Sequence, residues 1–82
     1  MAEQSPDILS TIIEITAEEA GLEVAQVTPG SRLTEDLDLE SLDRMVVATQ
    51  VEERLDVSLD DSAVLALSTV GDLVELVTRA KA

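Results

Sequence analysis

No Phe, Tyr, Trp or Cys occurs anywhere in these 82 residues. A domain this small buries only a modest share of its surface. Its core must therefore be assembled from Leu, Ile, Val, Ala and Met alone, with no disulfide to help. Apolar stripes of helical period can supply such a core, and a core of small side chains parts cheaply. The expectation is all-α: one domain over residues 1–82, with its core over about residues 5–79.

The helical stripes are readable in order. Ser5-Pro6-Asp7 reads as a helix start, with Ser5 as cap, Pro6 at the first helical position and Asp7 complementing the dipole. Ile8, Leu9, Ile12, Ile13 and Ala20 follow on one stripe, while Glu14, Glu18 and Glu19 face away. Gly21 suits the left-handed residue that ends this helix of about 14 residues. From Gly21 to about Glu40 the period is lost and Thr28-Pro29-Gly30-Ser31 signals a turn. A loop of roughly 20 residues in a compact domain is normally packed or functional, and Leu22, Val24, Val27, Leu33 and Leu37 give this one something to pack with.

A second helix is expected from Ser41, turning Leu42, Met45, Val47, Ala48, Val51 and Leu55 inward and Asp43, Glu52 and Glu53 outward. Asp56-Val57-Ser58 breaks the pattern. Ser58 or Asp60 can cap a short third helix from Asp61 to about Leu65. Ser68 or Thr69 stands at capping-box spacing before Asp72. Val70, Leu73, Val74, Leu76 and Val77 then continue a fourth helix to about Arg79, where Arg79 and Lys81 suit the negative dipole end. Three main helices, one short one and a long loop between the first two make a small four-helix bundle. No internal repeat, linker or low-complexity tract interrupts it.

Eighteen acidic residues against five basic ones leave a formal charge of −13. Phosphate backbones are bound by Lys and Arg, so nucleic acid is a poor partner and a basic protein surface a natural one. The absence of Cys suits a reducing compartment. The opening residues lack the basic and apolar regions of a signal peptide, and no stretch approaches the roughly 18 apolar residues that span a bilayer. The expectation is a cytoplasmic monomer that does not insert into membranes.

Chemistry has few places to reside. With no His, no Cys and a lone Lys81 near the C-terminus, nothing is available to make Ser41 a catalytic nucleophile. Ser41 follows Glu35, Asp36, Asp38 and Glu40 and precedes Asp43, a set of carboxylates around the start of the second helix. Acidic side chains are stabilised at that end of a helix, so the plain reading is a well-capped terminus with Ser41 as N-cap. The same geometry exposes its hydroxyl to another protein. A calcium loop is a poor description, because the stretch from Asp36 lacks the glycine and alternating ligands of an EF-hand. No metal site is expected.

The order Glu35-Asp36-Leu37, then Ser41-Leu42-Asp43, then Val51-Glu52-Glu53-Arg54-Leu55-Asp56-Val57 and Ser68-Thr69-Val70-Gly71-Asp72-Leu73 resembles the acyl carrier proteins of dissociated bacterial fatty acid synthesis. The likeness covers about residues 5–79. It implies the same bundle, with Ser41 carrying 4′-phosphopantetheine donated from coenzyme A by a phosphopantetheinyl transferase. A carrier of this kind catalyses nothing itself. The resemblance further implies that Leu42 packs beside the arm and fixes the second helix. Asp36, Asp38, Glu40, Asp43, Glu52 and Glu53 would form an acidic rim for basic patches on acyl-transferring, condensing and reducing enzymes.

Three positions depart from the family pattern. Glu40 stands where Asp usually precedes the serine, one methylene longer. Val46 and Thr49 stand where an acid and a Met are common on the partner-facing side. Peptidyl carriers commonly have glycine before the serine, and Asp38-Leu39-Glu40 has none. Two alternatives remain open at this stage: a carrier for a type II polyketide or other secondary pathway, and an unmodified, carrier-like acidic adaptor.

Overall fold

In the computed structural model, residues 7–81 are described. They form α1 (Ile8–Ala20), a 3-10 turn (Val24–Gln26), α2 (Ser41–Leu55), α3 (Asp61–Leu65) and α4 (Val70–Lys81). The order matches the pattern of apolar stripes. Helix α1 packs against α2, α4 and the 3-10 turn, and α3 packs against α2.

Local chemistry explains most boundaries. Asp7 caps α1, its Oδ1 accepting from the Leu9 N–H at 3.1 Å; Ser5 and Pro6, expected to start this helix, lie outside the described residues. Gly21 ends α1 at φ 73°, and its N–H reaches the Glu18 carbonyl. That left-handed conformation costs glycine nothing and a β-carbon about 1 kcal/mol. Asp60 caps α3 through the Ala63 N–H at 3.1 Å. At α4, Thr69 Oγ1 accepts from the Asp72 N–H at 3.1 Å while Asp72 Oδ2 accepts from the Thr69 N–H at 3.2 Å, a reciprocal capping box.

The long loop is ordered by what it buries and by what it bonds. Val27, Leu33, Leu37 and Leu39 are all buried with the core residues of the helices, whereas Val24, expected to pack, is 52% exposed on the 3-10 turn. The first-turn N–H groups of α4 have no partner within their own helix. They find them in the loop: Val70 N–H donates to the Ser31 carbonyl at 3.0 Å and Gly71 N–H to the Pro29 carbonyl at 2.8 Å. A β-carbon at position 71 would sit 3.1 Å from that carbonyl, so the close approach favours glycine. Leu33 N–H to the Ser68 carbonyl continues the seam at 2.9 Å.

The buried face of α1 is centred further along than the stripe suggested. Ile12, Ile15, Thr16 and Ala17 are buried, while Ile8, Ile13 and Ala20 pack at the margin. In α2 the inward side chains are Val47, Ala48, Val51 and Leu55. Leu42 was expected among them and is not: it is 76% exposed. At 100° per residue it lies about 140° around the helix from Val47, so an inward Leu42 is geometrically excluded while that face is buried.

Candidate functional site

Ser41 is the first residue of α2, and Glu40 occupies the N-cap position with extended backbone. The expectation of Ser41 as N-cap is corrected by one residue. The Glu40 N–H donates to Asp43 Oδ2 at 3.2 Å, so Asp43 secures the helix start and the Ser41 side chain is left out of the capping. Ser41 is exposed. Among the described residues its hydroxyl has no hydrogen-bond partner.

The acidic residues around it serve different ends. Asp36 turns back on Arg32: its Oδ2 accepts from the Arg32 N–H at 2.8 Å and from Nε at 3.3 Å, and Glu35 meets the same guanidinium at 2.9 Å. The Arg32 N–H, then its side chain, hold the Asp36 carboxyl below its ordinary value; Asp36 in turn raises the Arg32 guanidinium. Asp38 is exposed and left-handed at φ 57°, a conformation Asp tolerates better than most residues. Glu40 is exposed beside Ser41. Among the described residues no three carboxylates converge into a set that could hold a metal ion.

Further along α2, Leu42, Val46, Thr49 and Glu53 fall at i, i+4, i+7 and i+11, which is one face. Val46 is half-buried and the other three are exposed; the Thr49 hydroxyl donates to the Met45 carbonyl at 2.9 Å. Glu52 departs from expectation. It is half-buried, and its Oε2 accepts from the Leu59 N–H at 2.8 Å, pinning the α2–α3 connection.

One residue that the sequence reading passed over is central here. Arg44 lies at the spacing of the buried face, with Ala48, Val51 and Leu55 at i+4, i+7 and i+11. Its guanidinium donates to the carbonyls of Leu65 (3.1 Å) and Leu67 (2.6 Å) and to Thr34 Oγ1 (2.7 Å). The signal was its register; its charge disguised it as a surface residue.

Residues 10–77 match the family model described as a phosphopantetheine attachment site. The acyl carrier protein of Beutenbergia cavernae is 39% identical over 82 residues, covering all of both chains. The chain belongs to the acyl carrier proteins. The acyl carrier protein of Kocuria rhizophila is 40% identical over 76 residues, 93% of this chain and 94% of that one. The meromycolate extension acyl carrier protein of Mycolicibacterium aurum is 34% identical over 79 residues, 96% of this chain and 81% of that one.

An acyl carrier protein is a carrier and not a catalyst, and its prosthetic group is phosphopantetheine. The geometry around Ser41 suits such a group. An exposed hydroxyl sits where the first N–H groups of α2 have no partner within the helix, a favourable setting for a phosphodiester. Leu42 offers exposed apolar surface next to it. Among the described residues, no helix is long and apolar enough to cross a membrane.

Proposed function

We propose that Ser41 carries 4′-phosphopantetheine and that the chain serves fatty acid synthesis as a cytoplasmic monomer, displaying acyl groups to acyl-transferring, condensing and reducing enzymes. The observation that carries this reading is the exposed Ser41 hydroxyl at the start of α2, unbonded among the described residues and inside the matched family region. The bound group supplies the thiol that the polypeptide lacks, and acyl chains ride on it as thioesters. The residues of this chain present and orient. Ser41 gives the attachment oxygen, Leu42 shields the base of the arm, and Val46, Thr49 and Glu53 continue from Leu42 as the face offered to partners. Exposed carboxylates such as Asp38, Glu40 and Glu53 favour fast encounter with basic rims and quick release, as a shuttle requires. Asp43 and Glu52 contribute charge to the same field while holding the ends of α2, and Asp36 does so while braced by Arg32.

Intact mass before and after incubation with a phosphopantetheinyl transferase, Mg²⁺ and coenzyme A tests the assignment. A phosphopantetheine-sized gain that Ser41→Ala abolishes is expected; a folded chain with no gain overturns it and leaves an unmodified adaptor. The likeness to meromycolate extension carriers favours one second reading, service to a specialised chain-extension pathway. Comparing long with medium acyl substrates on the loaded protein separates the two.

A further inference from the structure

All four backbone polar groups of the two residues before Ser41 are paired. The Leu39 N–H donates to the Leu33 carbonyl at 2.8 Å, and the Glu40 N–H to Asp43 Oδ2 at 3.2 Å. The Glu40 carbonyl accepts from the Arg44 N–H at 2.9 Å, and the Leu39 carbonyl from Thr34 Oγ1 at 3.2 Å. Thr34 Oγ1 in turn accepts at 2.7 Å from the Arg44 guanidinium, whose other amino group is held by the Leu65 and Leu67 carbonyls. Arg44 therefore holds both carbonyls that precede Ser41, one with its backbone and the other through Thr34. A hydroxyl rotates to suit its surroundings. With a charged donor on its lone pair, the Thr34 proton is turned toward the Leu39 carbonyl and that bond is strengthened.

We propose that Arg44 is a positioning residue for the loading of Ser41: acting through Thr34 and the Leu39 carbonyl, it sets where the serine hydroxyl stands once a transferase has docked. The proposal rests on the carrier reading of Ser41. In loading, Ser41 Oγ bonds to the coenzyme A phosphorus that bears the pantetheine, and the bond from that phosphorus to the bridging oxygen breaks. The nucleotide leaves with that oxygen, and the serine proton passes to a base of the transferase. Such an attack tolerates little misplacement, since about 1 Å costs about a hundredfold. Ser41 is exposed and its hydroxyl has no hydrogen-bond partner among the described residues, so its backbone alone sets its position. Just upstream, Asp38 is left-handed at φ 57°, a conformation disfavoured for residues with a β-carbon. Releasing the Leu39 carbonyl gives this stretch a less strained arrangement to relax toward, and Ser41 moves with it.

Steady-state loading by a phosphopantetheinyl transferase with Mg²⁺ and coenzyme A, at a temperature where circular dichroism shows the variants folded, tests this. Arg44→Met and Thr34→Val should each lower kcat about tenfold and leave KM for the carrier within about twofold. The double variant should fall no further than either single one, because the two residues act in one chain of bonds. Thr34→Ser keeps the hydroxyl and should restore kcat to within about twofold of wild type. Lys81→Met, which loosens the far end of α2, should leave both constants unchanged. If Arg44→Met does not fold, Thr34→Val and its rescue by Thr34→Ser decide alone. An unchanged kcat in Thr34→Val, a loss confined to KM, multiplied losses in the double variant or an equal loss in Lys81→Met overturns the positioning role. A wild-type chain that gains no mass overturns the carrier reading, and the positioning role with it, and is seen before any variant is compared.

Discussion

The Lys81 ammonium donates to the backbone carbonyl of Leu55 at 2.8 Å, so the last turn of α4 closes the C-terminal end of α2. The carbonyls at the end of a helix have no partner within it. A cation placed there adds to the hydrogen bond by complementing the dipole. Lys81→Met keeps the aliphatic stem and deletes the charge; chemical denaturation should show a loss of about 1 kcal/mol. An unchanged midpoint would place Lys81 in solvent.

Thr16 is fully buried in α1, and among the described residues its Oγ1 has no hydrogen-bond partner. A buried hydroxyl in that state costs about 1–3 kcal/mol. Thr16→Val replaces it with a methyl of similar size, and the thermal midpoint should rise, with a gain of about 1 kcal/mol in stability. A fall would mean that the hydroxyl is satisfied after all.

Asp36 supplies a pH signature. Its carboxyl is held below the ordinary value by the Arg32 N–H and then by the Arg32 side chain. A depressed folded value means stabilisation that is fully present above the unfolded value and is lost as pH falls through the folded one. The stability gap between wild type and Asp36→Asn should therefore be widest near neutrality and close in acid. Denaturation of both proteins over a pH series checks this, and a gap independent of pH would contradict it.

Glu52 and Glu53 are neighbours with separable roles. Glu52→Gln weakens the acceptor for the Leu59 N–H and should destabilise by about 1 kcal/mol, since the contact is partly buried. Glu53 is exposed and unbonded among the described residues. Glu53→Lys should leave stability within about 0.5 kcal/mol while lowering kcat/KM for transferase loading about threefold or more at low salt, an effect that added salt erases. Unaltered loading would move the docking face away from Glu53.

Much of this was legible because it is local. Gly21, Asp60 and the Thr69–Asp72 pair end or start helices through bonds to residues within four positions, and sequence spacing displays them. Distance in the chain hid the rest. Pro29 and Ser31 completing the first turn of α4 leave no spacing to read, nor does Lys81 on the Leu55 carbonyl. Residue type misplaced Leu42, an apolar side chain turned inward, and left Arg44 unread, although the register of Ala48, Val51 and Leu55 turns Leu42 out and Arg44 in. The exposure of Ser41 at a helix start was legible from the sequence, and the structure shows it there, although Glu40 holds the cap position.

The most direct test of the carrier assignment is the location of the modification. Trypsin cleavage after Arg32 and Arg44 releases residues 33–44, in which Thr34 and Ser41 are the only hydroxyl-bearing side chains. After treatment with transferase, Mg²⁺ and coenzyme A, fragmentation of this peptide should put the added phosphopantetheine on Ser41. An unmodified peptide, or the group on any other residue, would contradict the account.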